Sequence, residues 1–260
     1  MDMQDEYEPV KQETESDTET AVEPQSSKES GHRKGKNGRQ FELLKKMVMC
    51  AIFVALAFAA EFVLRIKVGF LTFDAKDAIL TVGAMCLGPI PGVAMTLCVS
   101  LLEMLTVSDT GLWGFLMNFV SSAAFCVPAA LIYRRWHTLV GALAGLFVSV
   151  IGMTGVMMLM NLWVTPIYMG VERSVVVGMI PTMLLPFNLI KAVLNAALVF
   201  LFYKPVVTAL RLTHMVETGG QPLQGRRSVV VTILALLVAA GAVVLFIFVM
   251  QGSFQWVKPS

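Results

Sequence analysis

With 260 residues, 56% of them hydrophobic and only 15% charged, and a mean hydropathy of +0.72, the chain is too apolar for an ordinary soluble domain and matches a polytopic membrane protein. The formal net charge of +2 says little as a sum, because the charges gather in a tail and in loops, so their placement has to be read instead. Cys50, Cys86, Cys98 and Cys126 fall inside apolar runs without CxxC spacing, and His32, His137 and His214 are scattered, which argues against a disulfide framework and against a metal site.

Residues 1–40 are acidic first (Asp2, Asp5, Glu6, Glu8) and then basic (Arg33, Lys34, Lys36, Arg39), with too few large apolar side chains to offset the entropy of ordering, and read as a disordered cytoplasmic tail. Gly31-His32-Arg33-Lys34-Gly35-Lys36 is too short for a phosphate-binding loop and lacks the Ser/Thr after its lysine, so no ATP site is expected. The first span is expected from about Met47 to Leu64, and its leader Lys45-Lys46 places the N-terminus in the cytoplasm by the positive-inside bias. Along it Ala51, Ala55 and Ala59 recur every fourth residue and form a shallow stripe that another helix, from a partner or from this chain, can approach closely. Glu61 and Arg65 follow at the outer interface with the spacing of a simple ion pair.

Val68 to Phe73 reads as a short apolar loop, and Asp74 and Asp77 are spaced to cap the second helix. Ile79 to Leu87 is too short to cross a bilayer before Gly88-Pro89-Ile90-Pro91-Gly92 breaks it, so the second span is short or tilted. The third, about Gly92 to Thr106, carries Glu103 near its far end, where a solvated interface position and a ligand contact are both open. The fourth runs from Leu112 to Ile132 with Asn118, Ser121 and Ser122 inside it, and Arg134 and Arg135 mark its cytoplasmic end. The fifth, about Leu139 to Trp163, ends in Asn161, with Trp163 and Tyr168 placed as aromatic-belt residues.

The sixth span, about Val176 to Phe202, is interrupted in its first half by Pro181 and Pro186. Backbone groups freed by proline are tolerated at membrane depth only where protein or a cavity meets them, so this portion points to a binding cavity. Behind it Asn188, Lys191 and Asn195 are three and then four residues apart and share one helix face. A charge in such a segment costs at least a few kcal/mol, so that face is expected to look into the bundle, the competing reading being a lysine that snorkels to an interface. A basic loop, 213–227, precedes Val229 to Val249, long enough for a seventh span within 228–250 and a tail at 251–260. The fold expected is therefore an all-α polytopic membrane bundle, with six helices over 41–212 and a seventh behind them.

From about Phe41 to Leu210 the order of features resembles the S components of energy-coupling factor (ECF) vitamin transporters, most closely the riboflavin-specific branch. The residues that carry the resemblance are the stripe Ala51, Ala55, Ala59; Phe73-Asp74 through Asp77 with Gly88-Pro89 and Gly92; Asn118-Phe119; Pro128 to Arg134; and above all Pro186-Phe187-Asn188-Leu189-Ile190-Lys191. The resemblance implies that Asn188 and Lys191 contact riboflavin, that Asn161 adds a polar contact, and that Phe70 to Phe73, with Phe73 and Asp74 at its end, covers the flavin ring. It implies docking of the alanine stripe on a transmembrane coupling subunit and ATP hydrolysis by two partner subunits, with riboflavin as transported ligand and no cofactor, no catalytic residue and no nucleic acid. The family's six helices leave the predicted seventh and the acidic tail as additions. An S component for another vitamin or for flavin mononucleotide, a stand-alone secondary transporter, and an intramembrane enzyme using Asp74, Asp77 and Glu103 remain alternatives; the last lacks a complete catalytic signature.

Overall fold

The computed structural model describes the backbone of residues 26–63, 66–68, 71–108, 110–212 and 254–256, together with Ile233, Leu237, Ala240, Gly241 and Val244. Contacts divide the chain into two units at residue 42, and the elements from the hairpin onward belong to the second. The order is α1 (Ser26–Val63), β1 (Ile66–Val68), β2 (Leu71–Phe73), α2 (Lys76–Leu87), α3 (Pro89–Thr106), α4 (Gly111–Arg135), α5 (Leu139–Met169), α6 (Arg173–Met179), a π-helical turn (Ile180–Leu184), α7 (Leu185–Leu212) and β3 (Phe254–Trp256).

Five segments among the described residues are long and apolar enough to cross a membrane: Gln40–Val63, Pro89–Thr106, Gly111–Arg135, Val140–Met169 and Arg173–Tyr203. As expected, α2 is the short one. Its 12 residues rise about 18 Å against about 30 Å of hydrocarbon, so one end of α2 lies well below a membrane surface. α2 starts at the buried Lys76 and stops at Gly88, whose φ of 107° suits glycine, and Pro89 at the first position of α3 gives up only an amide that the helix would not use.

Met49, Phe53 and Ala57 of α1 meet Leu80 and Ala84 of α2, Met95 and Val99 of α3, Phe125 and Ala129 of α4, Met153 of α5 and Ala192 of α7 in one core. A side chain at Gly83 would put its Cβ 2.8 Å from the Phe53 ring, so glycine there is what lets α1 and α2 approach. A second apolar cluster joins the hairpin to the last crossing: Leu71 and Phe73 pack with Val176, Leu184, Phe187, Ile190 and Leu194.

Three expectations change. The apolar loop is an antiparallel hairpin, with Ile66 opposite Phe73 and Val68 opposite Leu71, and β3 adds to the free edge of β1 with Trp256 opposite Ile66. Pairing satisfies the backbone groups of a segment that dips into apolar surroundings, which a loop would leave unmet. Secondly, α1 begins at Ser26, inside the stretch read as disordered, because helix propagates from a formed span at little cost through Lys, Arg and Gln; residues 1–25 lie outside the described residues. Thirdly, Pro181 and Pro186 do not open the sixth crossing into a gap: a π-helical turn at Ile180–Leu184 keeps α6 and α7 nearly continuous, with the Leu185 amide donating to the Ile180 carbonyl. The predicted seventh span lies outside the described residues except for Ile233, Leu237, Ala240, Gly241 and Val244, which are helical and exposed, while β3 stands at the hairpin end of the bundle.

Candidate functional site

α7 presents Asn188, Lys191 and Asn195 from one face, and all three are buried. Lys191 is only 6% exposed, which disposes of the snorkelling alternative. Its Nζ donates to Asp74 Oδ2 at 2.9 Å and to the Thr72 carbonyl at 3.3 Å, and Asp77 Oδ2 lies 3.9 Å away. One turn on, Asn195 Nδ2 donates to the Asp74 carbonyl at 3.4 Å and to the Lys191 carbonyl at 3.2 Å. The last crossing therefore grips the end of the hairpin at the point where it becomes α2. Asn188 Nδ2 is turned back onto the Leu184 carbonyl, 2.8 Å away at the end of the π-helical turn.

Lys76, at the first position of α2, is fully buried among carboxylates from three other places in the chain. It is bonded to Glu103 Oε1 of α3 and lies 3.6 Å from Glu61 Oε2 of α1 and 3.7 Å from Asp74 Oδ2. Asn118 of α4 donates to the other oxygen of Glu103 at 2.9 Å, and Ser122, a turn further, donates to Asp77 Oδ1. Two lysines and four carboxylates thus form one buried network tying α1, α2, α3, α4 and α7 around the hairpin. The short α2 brings its own charged start to the depth where the others project.

This geometry corrects several readings. Asp74 does not cap α2: the residue at the cap is Ala75, no side chain bonds there, and Asp74 is spent on Lys191 and Lys76. Asp77 sits in the first turn of α2 but accepts from Ser122 rather than from the helix terminus. Glu103 is no solvated interface residue, being 2% exposed. Glu61 is equally buried and faces Lys76 from within the bundle instead of standing at the outer surface; Arg65 lies outside the described residues. For Asp74, Glu61 and Glu103 the competing fact is a buried cation, Lys76, joined at Asp74 by Lys191; for Asp77 it is Ser122.

Asn161 is buried and engaged on its own helix: Nδ2 donates to the Met157 carbonyl at 2.7 Å and Oδ1 accepts from Thr165 at 3.0 Å, both on α5. Trp163 and Tyr168 beside it are exposed, as belt residues should be. Phe73 is buried in the apolar cluster next to the charges, so the hairpin offers a greasy side chain and a carboxylate, Phe73 and Asp74, in succession. Ala51, Ala55 and Ala59 are exposed on the side of α1 turned away from buried Met49, Phe53 and Ala57. Among the described residues no helix of this chain covers the stripe. Nor, among them, is any group of His, Cys, Asp and Glu arranged to hold a metal ion.

Sequence reasoning picks out Glu61, Asp77, Glu103, Asn118, Ser122 and Asn195 one by one and misses Lys76 as a member of the site. The available signal is that each sits inside or at the edge of an apolar span, where polar groups seek one another.

Residues 45–203 match the model of the family described as ECF transporter, substrate-specific component. The chain is 25% identical over 187 residues to the riboflavin transporter RibU of Staphylococcus aureus (strain TCH60), covering 67% of this chain and 98% of that protein. It is 23% identical over 192 residues to the riboflavin transporter FmnP of Bacillus subtilis (strain 168), covering 66% and 98%. A solved S component of a bacterial ECF transporter has a similar structure, with a TM-score of 0.57 at 25% identity over 65% of this chain and 99% of that one.

Proposed function

Because the chain belongs to the substrate-specific components of ECF transporters, we propose that it is the riboflavin-binding membrane subunit of an ATP-driven uptake system, with no ATPase or other enzymatic activity of its own. The observation that carries this reading is the buried polar face of α7, Asn188 and Lys191, set against the hairpin in a chain whose sequence matches two riboflavin transporters along nearly their whole length. A flavin pairs a flat apolar ring and a polar pyrimidine edge with a chain of hydroxyls, and a site with an apolar wall and few convergent polar groups suits it. Phe73, Leu184 and Phe187 supply the wall, Asn188 and Lys191 the polar edge, and Asp74 and Asn161 further polar contacts. Riboflavin is the cargo, and no cofactor is required.

The exposed alanine stripe of α1 supports docking on a transmembrane coupling subunit, whose two ATP-binding partners supply the energy. Lys45 and Lys46 near the start of the first crossing, and Arg134 and Arg135 at the end of α4, favour a cytoplasmic N-terminus in the cell membrane. A seventh crossing at 228–250 would deliver β3 to the hairpin side of the bundle, where it is found. The test of the reading is to purify the chain alone in detergent and follow visible absorbance and quenched flavin fluorescence. A colourless protein that leaves added riboflavin fluorescence unchanged rejects it.

Lys191→Met should weaken riboflavin binding by about one to two decades, since a hydrogen bond from a charged donor is worth roughly 1.5 to 3 kcal/mol. The methionine keeps the apolar stem and the bulk against α2. Titration of the purified variant is the check, and an affinity equal to that of the parent removes Lys191 from the ligand set.

A further inference from the structure

The hairpin is held on its two sides by different parts of the chain. On the side of β2 the hold comes from the last crossing: Lys191 donates to the Thr72 carbonyl at 3.3 Å and to Asp74 at 2.9 Å, and Leu71 and Phe73 pack with Leu184, Phe187 and Ile190. On the side of β1 it comes from β3, with Val68 opposite Phe254, Lys67 opposite Gln255 and Ile66 opposite Trp256, so that the sheet runs β2-β1-β3. The two holds differ in origin. Residues 45–203, which match the family model, contain both strands of the hairpin and the lysine that grips it, whereas β3 lies beyond that stretch.

Asn188 and Lys191 are 2% and 6% exposed, and the groups bonded over Lys191 are those of the hairpin end. A ligand can reach this face of α7 only if the hairpin moves off it. Strands of three residues pair through few hydrogen bonds, and a two-stranded ribbon so short is marginal by itself. A third strand adds backbone bonds along the whole of β1. Segments that open for a ligand are drawn from the less stable parts of a fold, so a strand added to one of them changes how often it opens before it changes the fold.

We propose that β3 is a strap added to the shared core: by pairing with β1 it holds the hairpin against α7, and it must unpair before a ligand enters or leaves the face of Asn188 and Lys191. That the ligand is riboflavin rests on the reading above. A strap of this kind acts on rates. Because opening precedes both entry and release, it slows the two by the same factor and leaves their ratio, the dissociation constant, where it was.

The test uses the full chain, purified in detergent and carrying Val68→Cys with Phe254→Cys. Residues opposite one another in an antiparallel pair have Cα atoms about 4.5–5.5 Å apart, within the reach of a disulfide. Oxidation should join the two cysteines, read as one linked peptide by mass spectrometry after proteolysis. It should also slow riboflavin association, followed by fluorescence quenching, and release, followed by exchange of radiolabelled for unlabelled riboflavin, at least about tenfold relative to the same protein after reduction. The opposite change, Phe254→Pro with Gln255→Pro, removes an amide from each side of β3, one of which faces β1, and should speed both rates by about tenfold, the effect of losing roughly one backbone hydrogen bond. Absence of the cross-link, or equal rates in oxidised and reduced protein, overturns the proposal whether or not the proline variant folds. A changed dissociation constant at an unchanged association rate overturns it too, because that marks a β3 that merely shapes the site. If the parent chain binds no riboflavin, the flavin reading falls, and the cross-link alone decides whether β3 straps the hairpin.

Discussion

Ala55→Trp protein is expected to bind riboflavin with the affinity of the parent and yet to support no uptake. Ala51, Ala55 and Ala59 lie on the exposed side of α1, while Met49, Phe53 and Ala57, two positions out of phase, fill the core. A side chain added at Ala55 therefore enters none of the packing described for this chain and leaves the buried network gripped by Lys191 untouched. In lipid, helices gain little from excluding water and associate through close van der Waals contact, which small side chains permit and an indole at the centre of the stripe prevents. Two measurements decide the matter: riboflavin titration in detergent, and riboflavin uptake by cells together with copurification of the coupling subunit. Normal uptake removes the stripe from the mechanism. Loss of binding along with uptake shows that α1 needs this face for its own fold.

The second large effect is expected at Lys76→Met, which should lower the stability of the purified protein by about 3–5 kcal/mol, the usual cost of leaving a buried charge without its partner. Three carboxylates, Glu61, Asp74 and Glu103, lie within 4 Å of the lost ammonium and come from α1, the hairpin end and α3. Methionine fills similar volume, so the loss is electrostatic rather than a cavity. The companion variant Lys76→Met with Glu103→Gln should regain part of the stability, because one of the uncompensated charges is removed and the amide can still meet Asn118. Thermal unfolding followed by intrinsic fluorescence reads both. If the single variant melts with the parent, Lys76 is not the counter-ion that holds the three carboxylates in the bundle.

Composition and the lengths of the apolar runs are enough to read a membrane bundle, because a bilayer demands long uncharged helices and the chain has few other ways to satisfy its backbone there. The shortness of α2 is equally legible, since Gly88-Pro89 stops a helix locally. So is the inward turn of Asn188, Lys191 and Asn195, because their spacing fixes a shared face and lipid excludes it. All of these follow from interactions within one turn or from contact with solvent, and need no knowledge of neighbours.

What the sequence leaves open is what depends on partners far along the chain. Asp74 has the spacing of a cap, but it stands 117 residues before Lys191 in a structure that brings them together, and an ion pair in a dry interior outweighs a cap worth about 1 kcal/mol. Lys76 reads locally as one charge in a polar turn; only the packing of α1 and α3 against α2 makes it the shared counter-ion of three carboxylates. Asn161 and Asn188 carry the same polar signal and each donates to the carbonyl four residues earlier in its own crossing, so what sets them apart is which elements pack against each helix face. The alanine stripe is compatible with packing inside or outside until Met49, Phe53 and Ala57 take the inner face of α1. Local sequence thus determined which segments enter the membrane and which residues must avoid lipid, because those preferences are set by single turns and by the solvent; tertiary packing alone decided which buried charge meets which, because that depends on where five separate helices place their side chains at one depth.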